Sequence, residues 1–197
     1  MTANIAVLVS GGGTNLQALI DAQNAGIISS GKITLVISNN ANAYALERAK
    51  NAGIKTAVVL KKELGEGFED RIKELLAENE IDIIVLAGFM SILSESFTKA
   101  FPKKIINVHP SLIPSFCGKG FYGLRVHEAA LEKGVKVTGA TVHFVNEIPD
   151  GGEIIMQKAV SIRENDTPET LQKRVMRLAE WKILPLAVEK VCSKIIK

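Results

Sequence analysis

The stretch Ile5–Gln17, IAVLVSGGGTNLQ, changes within a few residues from aliphatic side chains to three glycines and then to a helical sequence. The aliphatic run Ile5–Val9 predicts a buried β-strand. Thr14 and Gln17 have the spacing of a capping box, so we expect a helix to begin at Thr14 or Asn15. A strand, a glycine turn and a helix in this order are typical of the first unit of a parallel α/β sheet.

The same alternation continues along the chain and predicts the fold class. Two longer strand-like runs follow residue 134, and Thr167 with Pro168 opens a last helix that we expect Pro185 to interrupt near Leu184. We predict an α/β fold, namely an open, mostly parallel Rossmann-like sheet with helices on both faces, an added antiparallel C-terminal strand pair and a C-terminal helix. The predicted strands are Ile5–Val9, Lys32–Ile37, Thr56–Leu60, Ile81–Ala87, Ile105–Val108, Val135–Val145 and Glu153–Val160, and the predicted helices include Asn15–Ala25, Ala43–Ala52, Phe68–Ala77 and Glu95–Ala100.

Composition and charge exclude several classes of protein. The net charge of +3 is too small for a nucleic-acid-binding surface, which needs clustered basic residues. Cys117 and Cys192 are too few for a disulfide framework or a zinc site and indicate a reducing compartment. The N-terminus lacks the basic region of a signal peptide, and no run approaches the ~20 apolar residues of a membrane span. We expect a cytoplasmic protein.

The glycine turn is the first candidate binding site. Three glycines before a helix let the backbone approach a ligand, and the exposed N–H groups with the helix dipole favour an anion. No Gly-Lys-Ser/Thr follows, so this is not a P-loop, and Leu16 occupies the third glycine position of the dinucleotide fingerprint. The phosphate of a mononucleotide-sized ligand suits the turn best. The alternative is a tight turn without a ligand.

A second candidate site lies where later strands end. In IINVHPS, Ile105–Ser111, alternation puts Asn107 and His109 on one face of a strand. An amide and an imidazole there either form hydrogen bonds that end the strand or are donors that stabilise negative charge on a carbonyl oxygen. Ligands of open parallel sheets bind at the carboxyl ends of strands, where AGFMSIL after Ile81–Ala87 would also gather.

Asp150 in IPDGG is structural when taken alone, because Asp-Gly is a common turn dipeptide. Beside NVHPS it would hold His109 protonated or accept a proton from an attacking amine through water. Among the other polar residues, His143 is expected to be a core histidine and His127 a surface residue, and Cys117 lacks an evident base. No metal-ligand spacing occurs, so no metal is expected.

Seven segments in one order resemble a known family. SGGGTNLQALI, ISNNANAYALERAKNAGI, LAGFMSIL, INVHPSLIPSF, VTGATVHFV, DGG and TPETLQKRV are together similar to the folate-dependent phosphoribosylglycinamide formyltransferases of purine synthesis. The resemblance runs from about Ile5 to Leu186. It implies a single formyltransferase domain over residues 1–197, with a nucleotide- and phosphate-binding half (1–100) and a catalytic and folate-binding half (101–197). It also implies that 10-formyltetrahydrofolate donates a formyl group to the amine of glycinamide ribonucleotide (GAR).

The resemblance carries residue roles as well. Asn107, His109 and Asp150 match the catalytic trio of the family. The residues implied to bind the ribonucleotide are Gly12, Gly13, Thr14, Asn15, Val108, Pro110 and Glu180, the last of them at the ribose hydroxyls. The residues implied to line the pterin pocket are Met90, Ser91, Ile92, Leu93, Asn146, Glu147 and Asp150.

Three positions depart from the family pattern. Ser91 stands where relatives often have arginine, Trp181 follows Glu180 where histidine is common, and the loop SFCGKGFYG, Ser115–Gly123, is longer than the shortest family versions. A methionyl-tRNA formyltransferase would need a basic C-terminal module, and a formyl-folate hydrolase an extra N-terminal domain. A non-catalytic nucleotide-binding module would leave the polar pair and DGG unexplained. GAR and folate are the expected partners, with neither nucleic acid nor a membrane, and a homodimer stays open.

Overall fold

One seven-stranded sheet organises the chain in a computed structural model that describes residues 2–196. Neighbouring strands are parallel except that β6 runs antiparallel to both β5 and β7. The strands are β1 (Ala3–Val9), β2 (Gly31–Ser38), β3 (Lys55–Val58), β4 (Ile83–Leu86), β5 (Ile105–His109), β6 (Val137–Phe144) and β7 (Ile154–Ser161), in the spatial order β3-β2-β1-β4-β5-β6-β7. This topology confirms the predicted fold class.

Helices cover the sheet on both faces, which explains why its central strands are almost entirely apolar. In β1, Val7 and Val9 join one core while Ala6 and Leu8 join the other. The helices are α1 (Thr14–Asn24), α2 (Tyr44–Asn51), α3 (Lys61–Leu64), α4 (Phe68–Glu78), α5 (Glu95–Ala100), α6 (Leu124–Lys133), α7 (Pro168–Val175) and α8 (Trp181–Ile195). None of those described helices combines the length and the apolar character needed to cross a lipid bilayer.

The C-terminal helices differ in one respect from the prediction. Thr167 does cap α7, because its side chain accepts from the Thr170 N–H while the Thr170 side chain accepts from the Thr167 N–H. The expected break near Leu184 is wrong, since α8 continues through a buried Pro185. The irregularity lies earlier, in a π-helical turn at Met176–Glu180. Buried packing of α8 against the sheet outweighs the single backbone hydrogen bond that proline removes.

We predict that Gly139→Ala destabilises the β6–β7 pair. A Cβ at this position would lie 2.1 Å from the Lys158 carbonyl oxygen and 2.8 Å from Leu112 Cδ2. Strand β7 would have to shift, so urea unfolding should show a loss of about 1–3 kcal/mol. Gly67→Ala is the matched control, because nothing lies within 4 Å of its Cβ position. Equal stability of the two variants would contradict the close approach of β7 to β6.

Candidate active site

The end of β5 supplies the amide and the imidazole. The antiparallel register places Asn107 opposite His143 and His109 opposite Thr141 on β6. Asn107 is half-buried and His109 is buried, while Val108 points to the opposite face and packs in the core there. The predicted alternation is therefore present, and the two polar side chains share one face. Val108 can reach a ligand on that face only through its backbone.

The loop between β6 and β7 brings a carboxylate to the same place. Asp150 Oδ2 lies 3.5 Å from His109 Nδ1, and Oδ1 lies 3.5 Å from His143 Nε2. Asp150 has a positive φ of 56°, a backbone conformation that Asp tolerates better than most residues. Gly152 is required, because a Cβ there would lie 1.8 Å from the Phe144 carbonyl oxygen. The structure thus brings together all three side chains that the sequence proposed as catalytic.

His143 also belongs to this cluster, which corrects its assignment as a core histidine outside the site. Its Nδ1 donates to the Phe144 carbonyl at 2.8 Å, and its Nε2 lies 3.2 Å from the Asn107 amide nitrogen and 3.5 Å from Asp150 Oδ1. The contact with His143 holds the Asn107 amide, whose nitrogen has no other hydrogen-bond partner among the described residues. The sequence alone does not show which strand pairs with β5. Once β6 is known to be that strand, its register places His143 directly opposite Asn107.

The His109 ring is held from two sides. Its Nε2 donates to the Phe116 carbonyl at 2.8 Å, which directs Nδ1 towards Asp150. Burial lowers the pKa of His109, and the Asp150 carboxylate opposes this only in part. His109 is therefore neutral at neutral pH before a ligand binds. The separation of 3.5 Å from Asp150 exceeds a direct hydrogen bond and leaves room for a bridging water or a ligand atom.

Asp150 is ionised in the same environment. Burial raises its pKa, but His143, His109 and the Gly118 N–H together bring the pKa below the ordinary aspartate value. The Gly118 N–H donates to Oδ2 at 2.8 Å. A carboxylate beside a neutral imidazole can accept a proton and pass it on.

His127 corrects a second expectation, because it is fully buried rather than on the surface. Neither ring nitrogen has a hydrogen-bond partner among the described residues. Burial is the main cause that lowers the pKa of His127 to about 4, and the nearby His109 makes a smaller contribution. His127 is therefore neutral near pH 7.

The glycine turn contains unpaired donors. Helix α1 begins at Thr14 as expected, but Gly13, with a φ of 72°, precedes it and no side chain caps the helix. The predicted capping box is wrong, since Gln17 Oε1 instead accepts from Arg48 at 3.0 Å. An uncapped N-terminus leaves backbone N–H groups free for an anion. A Cβ on Gly13 would lie 2.6 Å from Ala45 Cβ, so helix α2 forms the back of the turn.

Glu180 is joined to this turn by a direct contact. Its Oε2 accepts from Asn15 Nδ2 at 2.8 Å, and the glutamate is buried within the π-helical turn. Burial raises the pKa of Glu180 to about 7, although the Asn15 hydrogen bond lowers it slightly. Asn15 Oδ1 and Trp181 Nε1 are buried beside it and have no hydrogen-bond partner within residues 2–196. Unpaired groups at a π turn are common features of ligand sites.

The residues that the resemblance assigned to the pterin lie on two loops. Gly88 turns the chain after β4, and the Met90 N–H donates to Ser10 Oγ at 2.8 Å beside the glycine turn. Met90 and Ile92 expose 60% and 77% of their surface, Leu93 is buried, and Ser91 Oγ accepts from Asn39 Nδ2 at 2.9 Å. Asn146 Oδ1 accepts from the Ile148 N–H at 3.1 Å, and Glu147 is exposed. Exposed apolar side chains at the carboxyl end of a strand, such as those of Met90 and Ile92, can pack against a flat ring.

A wide groove of about 1070 Å³ lies to one side of these residues, between α1, β7 and the start of α8. It includes Thr14, Arg48 and Trp181 but not Asn107, His109 or Asp150, which lie together at the end of β5. Within residues 2–196, no group of three or more His, Cys, Asp or Glu residues is arranged to hold a metal ion.

Comparisons with known proteins identify the family of this chain. The formyl transferase family model matches residues 3–188. Phosphoribosylglycinamide formyltransferase from Haemophilus influenzae is 46% identical over 94% of this chain and 85% of that protein. The trifunctional purine biosynthetic protein adenosine-3 from Homo sapiens is 50% identical over 97% of this chain, which spans only 18% of that protein.

Solved structures show the same likeness. The crystal structure of glycinamide ribonucleotide transformylase 1 from Symbiobacterium toebii has a TM-score of 0.91 and 40% identity, with 98% of this chain and 89% of that chain covered. Phosphoribosylglycinamide formyltransferase from Anaplasma phagocytophilum has a TM-score of 0.88 and 42% identity over the same shares of the two chains. The chain belongs to the formyl transferase family, within its phosphoribosylglycinamide formyltransferase branch.

Proposed function

We propose that this chain transfers the formyl group of 10-formyltetrahydrofolate to the amine of glycinamide ribonucleotide. The observation that carries the proposal is the convergence of an amide, an imidazole and a carboxylate beside a glycine turn with free N–H groups. Leu8 pairs with Leu86, and Leu86 with Asn107, so the turn after β1 and the end of β5 lie two strands apart. Two strand spacings are roughly 10 Å, about the distance from the phosphate of GAR to its amine.

The glycine turn and Glu180 would hold the ribonucleotide. Gly12, Gly13, Thr14 and Asn15 would bind the phosphate through their N–H groups, and Glu180 would accept hydrogen bonds from the ribose hydroxyls. Pro110 and the backbone of Val108 would flank the glycinamide. The N-terminal half, residues 1–100, would thus supply the phosphate contacts.

The second half, residues 101–197, would supply catalysis and most of the folate contacts, completed by Met90, Ser91, Ile92 and Leu93. The pterin would lie between the Met90–Leu93 segment and the Asn146–Asp150 loop. Holding the two reactants side by side supplies several kcal/mol towards the barrier (about 7–11 at best) without a covalent enzyme intermediate. No residue of the chain would need to act as a nucleophile.

The amine attacks the formyl carbon, and negative charge develops on the formyl oxygen. The free Asn107 amide hydrogen donates to that oxyanion. The same negative charge raises the pKa of the neighbouring His109, which takes up a proton at Nδ1 as the oxyanion forms and becomes the second donor. Electrostatic stabilisation of this kind acts only as the tetrahedral intermediate forms, so it raises kcat.

Asp150 would relay the proton of the attacking amine. The ionised carboxylate accepts that proton through a water and passes it to His109 Nδ1, which is the proton that His109 takes up, and His109 then gives it to the departing folate nitrogen. Collapse of the intermediate then gives formylated GAR and tetrahydrofolate. His143 would hold the side chains of Asn107 and Asp150 in position during these steps.

The decisive experiment follows the folate absorbance change with and without GAR. The wild-type chain should form formylated GAR and tetrahydrofolate in equal amounts and show no change when GAR is omitted. Loss of the formyl group without an acceptor would identify a hydrolase instead. Absence of any reaction with GAR would contradict the proposed function.

Asn107→Ala should lower kcat by about 10²–10³-fold, because it removes one oxyanion donor. The free energy of unfolding should fall by no more than about 1.5 kcal/mol, the usual net contribution of one hydrogen bond. Steady-state kinetics and urea unfolding measure the two effects. Asn51→Ala, at an exposed position on α2, is the control and should change neither. A variant that unfolds instead of losing turnover would favour a structural role for Asn107.

Glu180→Gln should stabilise the protein at pH 8. The pKa of Glu180 is raised from 4.5 to about 7, so the folded state binds more protons than the unfolded state between these values. Stability falls as pH rises through this window, by up to roughly 3 kcal/mol, and a neutral glutamine escapes that loss. The gain in Tm at pH 8 should shrink towards pH 5. The KM for GAR should rise, since the carboxylate for the ribose hydroxyls is gone.

Glu189→Gln is the matched control of opposite sign. The Glu189 carboxylate accepts from the N–H groups of Ser29 and Ser30, and its pKa is lowered. Its stabilisation is present at pH 8 and is lost as pH falls, so this variant should lower Tm at pH 8. If the Tm of Glu180→Gln does not exceed that of the wild type at pH 8, the pKa of Glu180 is not raised by burial in the folded protein.

A further inference from the structure

The carbonyl groups of the glycine turn are held by helix α2. The Gly11 carbonyl accepts from the Ala45 N–H at 3.1 Å, and the Gly12 carbonyl accepts from Arg48 Nε at 2.9 Å. In a trans peptide the C=O and the following N–H point in opposite directions. Binding these two carbonyls to α2 therefore turns the N–H groups of Gly12 and Gly13 away from α2, towards the ligand side.

Those N–H groups are available to a ligand. Within residues 2–196, neither the Gly12 nor the Gly13 N–H donates to a protein acceptor. The first N–H groups of α1 have no intrahelical partner either, because every helix leaves them unpaired. The turn is thus a set of donors whose orientation depends on what holds the carbonyls behind them.

Arg48 is itself fixed from three sides. Besides the Gly12 carbonyl, its Nη1 donates to Gln17 Oε1 at 3.0 Å, and its guanidinium lies 4.9 Å from the Tyr44 ring centroid. Tyr44 is one helical turn earlier on α2, so the ring supports the guanidinium along its length. Arg48 forms no ion pair with any carboxylate among the described residues, so its charge lies uncompensated beside the turn.

We infer that Arg48 is a positioning residue for phosphate, which orients the Gly12–Gly13 peptide and adds a fixed positive charge behind the turn. This inference rests on the proposed function, since it assigns the phosphate of GAR to this turn. A lysine could supply the charge but not the planar fork that binds a carbonyl and an amide while stacking on a ring. Arg48 would act through the turn without touching the reacting atoms.

The test compares two substrates that differ only in the phosphate. Arg48→Lys and Arg48→Met should raise the KM for GAR at least 10-fold and leave kcat at saturation unchanged. With the unphosphorylated glycinamide riboside, kcat/KM should stay at the wild-type value, as should the KM for 10-formyltetrahydrofolate. Lys50→Met, an exposed ion-paired position on the same helix, is the control and should match the wild type.

Three outcomes would overturn the inference. An unchanged KM for GAR would show that the turn does not depend on Arg48. Equal losses with GAR and with the riboside would show a general structural role. Full activity of Arg48→Lys would show that charge alone matters. If Arg48→Met fails to fold, Arg48→Lys still decides between these results.

A binding measurement separates this inference from the proposed reaction. Inorganic phosphate titrated into the ¹⁵N-labelled chain should shift the Gly12 and Gly13 amide signals, with affinity at least 10-fold weaker in Arg48→Lys. Equal phosphate affinity in the wild type and the variant would reject the role of Arg48 even if GAR is formylated. A wild-type chain that binds phosphate but does not formylate GAR would reject only the proposed reaction.

Discussion

The antiparallel pairing of β5 with β6 is the constraint on which the site depends. It sets Asn107 opposite His143 and returns the chain so that the following loop delivers Asp150 to His109. Pairing with β6 thus gathers an amide, two imidazoles and a carboxylate in one partly buried cluster.

Several polar groups near the candidate site are buried, unpaired or uncapped, and each of these conditions lowers the stability of a folded protein. In the part of the chain that the structure describes, His127 is buried without hydrogen-bond partners and α1 begins without a side-chain cap, and burial raises the pKa of Glu180 to about 7. A folded domain of this size has enough apolar burial on both faces of its sheet to offset these costs. These three features lie near the carboxyl ends of the strands, where ligands of open α/β sheets bind.

Much of the fold could be predicted because local patterns and tertiary packing agree. Aliphatic runs such as Ile5–Val9 that end at a turn favour strands buried on both faces, and Thr167 caps α7 as its place before Pro168 predicts. The continuity of α8 through Pro185 could not be predicted. The helix continues because one of its faces is buried against the sheet. A local rule about proline does not take the free energy of that burial into account.

The sequence by itself determined the α/β architecture, the glycine turn before α1 and the shared face of Asn107 and His109 at the end of β5, because each follows from periodicity or residue chemistry within a short window. Tertiary structure alone decided that His143 joins Asn107, that Glu180 reaches Asn15 and that Arg48 holds the glycine turn. These pairs are separated by 36 to 165 residues in the chain. Contacts across such distances depend on strand order and register, which no local pattern contains.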